Sequence, residues 1–295
     1  MWPYTLIGDY VTLYGIMIAV GILIAFGMLG PIFKKRGIDD RMSDFVFYAG
    51  IASIAIGFGS AALFQSFYDF LEDPSKGFQI TGKITFIGGL IGGVACFLLL
   101  YLIFRKRLGS KLTDIISIAP CAILIAHAFG RVGCFFAGCC YGKPTDSFLG
   151  IKFPNLPHPV HPTMLYEAIF LFLLFAICMV LLFKFDFKHN LSVYLIGYGI
   201  FRFAIEYLRA DDRGQLVGNI SPSQFWSIFM VIAGVALWVG LELYWKKHPK
   251  IKKEEALAEG ENLEPEVEVE PEVEEAAPIE AEEPATNEEI EGTNE

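Results

Sequence analysis

Charge is scarce in this chain: Asp, Glu, Lys and Arg make up 19% of its 295 residues, while 54% belong to the hydrophobic set. Soluble globular domains carry about a quarter charged residues and less apolar surface, so that class is excluded. Lys and Arg are missing altogether after Lys253, and no aromatic residue occurs there, yet 18 of the 33 acidic residues do. The formal charge of −10 therefore belongs to the tail, and residues 1–253 hold 23 basic against 15 acidic groups, a net +8. A basic membrane body with an acidic extension offers no nucleic-acid-binding face. A basic stretch before the first apolar run is also lacking, and that run is too long for a cleaved signal peptide, so it is expected to remain as a helix. Internal repeats and paired interrupted helices are absent too, which disfavours a transporter, a class kept as an alternative.

Long apolar runs are what the chain does have. A membrane-spanning helix needs about 20 mostly apolar residues, and seven runs qualify, at residues 12–33, 44–68, 84–104, 112–129, 163–185, 192–209 and 222–245. The predicted fold class is all-α, a polytopic integral membrane protein with about seven transmembrane helices and an outer-face loop region. Residues 254–295, rich in Glu, Pro, Ala and Val, cannot bury enough apolar area to offset their ordering entropy and are predicted to be a disordered tail. The predicted division is thus a transmembrane domain over 1–253 and a Glu-rich tail over 254–295.

Orientation follows from the basic residues, because cytoplasmic loops retain them. Fifteen of the 23 Lys and Arg follow the first, third, fifth and seventh runs, among them Lys34, Arg36, Arg105, Lys184 and Lys246. The N-terminus is expected outside and the C-terminus inside. Glycines such as Gly57, Gly89 and Gly93 predict close helix packing and say nothing about activity.

The chemistry is expected at the outer face. The longest non-helical stretch is predicted from about Gly130 to Pro162, opening with GRVGCFFAGCCYGKPTD and leading into HPTMLYE. Loops of this length in a compact protein are usually functional. Arg131 is expected at the outer end of the fourth run, with His127 four residues before it on the same helical face. Arg202 lies inside the sixth run, with Tyr198 one turn before it and Glu206 one turn after. Intramembrane ionisable residues mark functional sites by default, although an Arg202–Glu206 pair at i, i+4 can also simply neutralise itself. Glu167, following His161 and Tyr166, is a second such group. Two arginines, a glutamate, tyrosines and a histidine at one interface suit an anionic lipid headgroup, because guanidinium binds phosphate oxygens in a bidentate way and keeps its charge. His161 is expected near a helix N-cap, and Tyr14 near the outer end of the first helix.

Six cysteines divide into two sets. Cys96, Cys121 and Cys178 fall in helices and read as small hydrophobes, whereas Cys134, Cys139 and Cys140 crowd the predicted loop. Their C-x4-C-C spacing departs from standard zinc patterns and adjacent cysteines seldom share an ion well, so no metal is expected. An outward-facing disulfide, or a thiol-redox or metal-binding role, stays open as an alternative.

On these residues the sequence resembles the prolipoprotein diacylglyceryl transferase family. Gly130, Arg131, Gly133, Phe135, Gly138, Gly142, Thr145 and Asp146 match its first signature; His161, Pro162, Thr163, Leu165, Tyr166 and Glu167 match a second; Tyr198, Gly199, Phe201, Arg202, Phe203, Glu206 and Arg209 match a third. The resemblance implies an enzyme of the bacterial plasma (inner) membrane that moves the diacylglyceryl group of phosphatidylglycerol onto the lipobox cysteine of secreted prolipoproteins. It implies no cofactor, and its partners are phosphatidylglycerol, prolipoprotein precursors and membrane lipids. The family's two essential arginines fall on Arg131 and Arg202, and its first-helix tyrosine falls on Tyr14. The expected catalytic set is Arg131, Arg202, His127 and Glu167; the expected substrate-binding set is Arg131, Tyr14, Gly142, His161, Tyr166, Tyr198, Glu206 and Arg209. Where the family has a histidine this chain has Ile87, its two signature asparagines are Cys134 and Ala137, and its acidic residue is Cys139. The thiol proton therefore needs another acceptor, and His127 is expected to fill that role.

Overall fold

The computed structural model describes residues 5–7, 11–80, 85–210 and 220–247. The chain parts into two units, residues 1–244 and 245–295, and everything below concerns the first. The acidic tail, with its expected disorder, lies outside the described residues.

A two-stranded ribbon opens the fold, with β1 (Thr5–Ile7) antiparallel to β2 (Val11–Thr12). The ribbon runs directly into α1 (Leu13–Lys35), whose start is capped by the Thr12 hydroxyl oxygen accepting from the Gly15 amide at 3.2 Å. Then come α2 (Asp40–Glu72), α3 (Phe86–Phe104), the short α4 (Leu112–Ile116), α5 (Ala119–Ala137), α6 (Thr163–Lys184), α7 (Asn190–Ile205) and α8 (Pro222–Lys247). Six segments are long and apolar enough to cross a membrane, with α4 and α5 counting as one at Leu112–Ala137; Gly88–Phe104 is a shorter apolar helix. These are the seven expected runs, and the chain is a multi-pass membrane protein.

Large apolar residues such as Leu23, Ile56, Leu99, Ile169, Leu173 and Ile232 are exposed along the helices. In water such a surface would aggregate; in a bilayer it is the face that lipid tails cover. The core gathers Met42, Ile118, Leu124, Leu171 and Leu182, from α2, α5, α6 and the α4–α5 elbow. Buried Asn190 secures that elbow, its amide donating to the carbonyls of Ser117 and Cys178 at 3.1 Å each. Helices α2 and α3 pack through glycine as expected: a Cβ on Gly57 would lie 3.1 Å from the Gly89 carbonyl oxygen.

Candidate active site

The structure corrects the extent of the fourth run. Residues 130–137 continue α5, so the non-helical segment begins only at Gly138, and Arg131 sits inside the helix, nearly two turns from its end. Gly130 and Gly133 lower helix propensity, but packing against α1 overrides them. A Cβ on Gly133 would stand 3.1 Å from the Tyr14 ring and 3.2 Å from the Tyr14 carbonyl oxygen, so α5 stays helical where α1 needs the space. Tyr14, half-exposed at the start of α1, is thereby placed beside the Arg131 segment.

One carboxylate organises the first half of the site. Glu167, one turn into α6, has no exposed surface. Its Oε1 accepts a hydrogen bond from the Tyr198 hydroxyl at 2.7 Å, pairs with Arg131 Nε at 3.1 Å and lies 3.9 Å from His127 Nε2. His127 and Arg131, four apart on α5, thus do face one point, and the His127 ring meets the Tyr198 ring edge-on at 5.0 Å. Arg131 engages Glu167 through Nε, and its two terminal nitrogens have no partner among the described residues. Contact through Nε leaves the two terminal nitrogens of the guanidinium for bidentate binding of an anion.

A second carboxylate organises the other half. Glu206, in the 3₁₀ turn Glu206–Leu208 after α7, pairs with Arg202 at 2.9 Å and with Arg209 at 3.8 Å. The i, i+4 pair anticipated from the sequence therefore forms, but it belongs to a wider network. Arg202 also donates to the Ser223 hydroxyl at 2.8 Å, and Glu206 accepts from the Ser221 hydroxyl at 2.9 Å. Arg202 interacts electrostatically with both His127 and Glu167, so the two halves act as one field.

Ser221 and Ser223 escaped the sequence reading. Their signal was the S-x-x-Q spacing of a capping box: the Ser221 oxygen accepts from the Gln224 amide at 3.2 Å, and the Gln224 side chain accepts from the Ser221 amide at 3.1 Å. The start of α8 is thereby fixed, and with it the two serines that hold Glu206 and Arg202.

The segment between α5 and α6 is laid across this network. Gly142 bridges to Arg209, and its amide donates to the His161 carbonyl at 2.7 Å. A Cβ on Gly142 would come within 2.8 Å of the Thr163 methyl carbon and closer still to the Leu208 carbonyl, so this close approach requires glycine. The structure makes Gly142 a packing point. His161 does not cap α6; Pro162 holds that position. The His161 ring instead pairs with the Tyr166 hydroxyl at 3.2 Å, and no hydrogen bond or ion pair joins either of them to Glu167 among the described residues. Pro162 displaces histidine from the cap because its fixed φ suits a helix start.

None of the six cysteines is in a disulfide. The Sγ atoms of Cys134, Cys139 and Cys140 lie within 4.8 Å of one another. In the segment beyond α5, the neighbouring Cys134 and Cys139 thiols hold the Cys140 thiol below the ordinary thiol range, with Arg209 adding to the effect against burial, while the Cys139 thiol donates to the Cys134 carbonyl at 3.6 Å.

Fold and site together define a multi-pass membrane protein with buried arginine–carboxylate pairs collected toward the C-terminal ends of α5 and α7 and the N-terminal end of α6. A family profile described as prolipoprotein diacylglyceryl transferase matches residues 5–240. The phosphatidylglycerol–prolipoprotein diacylglyceryl transferase of Clostridium tetani is 37% identical over 237 residues, covering 75% of this chain and 90% of that one. A second such enzyme, from Clostridium perfringens, is 36% identical over 245 residues, covering 76% and 89%. That of Pseudoalteromonas atlantica is 33% identical over 244 residues, covering 77% and 83%. The chain belongs to the prolipoprotein diacylglyceryl transferase family.

Proposed function

We propose that this chain transfers the diacylglyceryl group of phosphatidylglycerol to the lipobox cysteine thiol of prolipoproteins, at the outer face of the bacterial plasma membrane. In the reaction a C–S bond forms at an sp3 carbon as the C–O bond to phosphate breaks, giving a thioether and glycerol phosphate. The observation that carries this reading is Arg131: its Nε lies 3.1 Å from fully buried Glu167, and its terminal nitrogens make no hydrogen bond among the described residues, a fork shaped for phosphate oxygens. Arg202, held by Glu206 and Ser223, supplies a second positive charge where the leaving phosphate gains negative charge. Glu167 is too strongly paired to be the base and serves to position Arg131 and Tyr198. His127, on the same helical face as Arg131, accepts the thiol proton.

An outward-facing site is required, since precursors arrive by secretion. The distribution of basic residues supports an external N-terminus and an internal C-terminus, which puts the outer ends of α5–α7 on the secretory side. The test is the purified protein in phosphatidylglycerol vesicles with a precursor peptide carrying the lipobox cysteine. Mass spectrometry should find the diacylglyceryl thioether, and Arg131→Lys should slow its appearance on the order of 100-fold. Intact protein that forms no thioether would contradict the proposal. For the base, His127→Asn should lower the rate and alter its pH profile, and adding Ile87→His should restore activity; a His127→Asn variant with full rate and unchanged profile removes His127 from the mechanism.

A further inference from the structure

The cysteine cluster is absorbed by none of the chemistry above. The C-x4-C-C spacing argues against a shared ion, because it departs from standard zinc patterns and adjacent cysteines seldom share an ion well. Two left-handed residues remove that objection. Gly138, at φ 63°, ends α5 and turns the chain back, so that the Cys139 amide donates to the Cys134 carbonyl at 3.2 Å. Cys140 is itself left-handed, at φ 63°, a conformation uncommon outside glycine. It is held there by the Thr163 hydroxyl donating to its carbonyl at 2.7 Å. The outcome is three sulfurs from two adjacent turns within 4.8 Å of one another.

We propose that Cys134, Cys139 and Cys140 form a binding site for one thiophilic divalent cation of the zinc class. Zinc–sulfur bonds of about 2.3 Å at tetrahedral angles put ligand sulfurs roughly 3.8 Å apart, so the sulfurs need to close by no more than about 1 Å. Three sulfurs together favour an ion over a disulfide, which would use two and leave the third behind. Charge agrees as well. Three thiolates around a divalent ion leave one net negative charge, and the backbone bridge between Gly142 and Arg209 brings an arginine to the segment that carries Cys139 and Cys140. The fourth tetrahedral position is left for water or another donor. Bound, the ion ties the end of α5 to the segment that carries Gly142, and so to Arg209 and Glu206. The site stands independently of the transferase reading.

The experiment uses the whole protein, purified in detergent under reducing conditions, stripped with a chelator and titrated with cobalt(II) and then zinc. One equivalent of cobalt per chain should give sulfur-to-metal charge-transfer absorption, and zinc should displace it. Cys139→Ser and Cys140→Ser should lose that absorption, while Cys96→Ser and Cys178→Ser keep it. As a check free of folding effects, zinc should protect Cys134, Cys139 and Cys140 of the unmutated protein from alkylation. Absence of charge transfer with all three thiols free, unchanged alkylation in zinc, or a disulfide among the three in protein taken directly from membranes would each overturn the proposal.

Discussion

Glu206 faces two arginines, Arg202 and Arg209, and so meets more positive charge than it carries, whereas the charge of Glu167 is matched by Arg131, with the neutral imidazole of His127 beside it. Removing one partner of such a buried pair leaves an uncompensated charge, which costs about 3–5 kcal/mol. Glu206→Gln should therefore lower the melting temperature in detergent sharply, while Asp146→Asn, at an exposed position, should not. Tyr198→Phe deletes a single hydrogen bond to a charged acceptor, worth about 1.5–3 kcal/mol, and should soften the protein by that smaller amount. Arg202→Lys keeps the charge but cannot reach Glu206 and Ser223 with one fork; activity should fall steeply, and near-normal turnover in a transfer assay would remove Arg202 from its role. Residues paired within one helix turn, such as Arg202 with Glu206, were legible from spacing. Glu167 was legible as an intramembrane charge, but its partner was not, because Arg131 reaches it across two helices.

The elements were legible where apolar runs are long and ambiguous where glycine interrupts them. The start of α6 and the whole of α8 follow directly from composition, whereas the end of α5 was set too early, because Gly130 and Gly133 read as loop in sequence and as contact surface in the fold. The β1–β2 ribbon was missed, being too short for any alternation to show. The cysteine cluster was hidden for a similar reason: it depends on backbone conformation at Gly138 and Cys140, which spacing does not encode. Two predictions belong to this scale. Ser221→Ala removes the α8 cap, at about 1 kcal/mol, together with a donor to Glu206, so both melting temperature and transfer rate should drop. Gly142→Ala should leave helix content by circular dichroism unchanged and abolish transfer, since the added methyl collides with Thr163 and Leu208; a fully active Gly142→Ala protein would show that this approach is unimportant.

At the scale of the whole molecule, the division of charge is the main feature. The membrane body is basic, all the acidic excess lies beyond Lys253, and the buried arginine–carboxylate pairs gather at one end of α5, α6 and α7. Deletion after Lys253 should therefore leave membrane insertion and transfer intact; a truncated protein that fails to accumulate or act would give the tail a role that composition does not suggest. The central claim, an outward-facing transferase working through Arg131 and Arg202, is tested most directly by complementation of a bacterial cell depleted of its own prolipoprotein diacylglyceryl transferase. The intact chain should restore growth and diacylglyceryl-modified lipoproteins, while Arg131→Lys and Arg202→Lys, produced at equal levels in the membrane, should restore neither. No rescue by the intact chain, or full rescue by both arginine variants, would contradict the account.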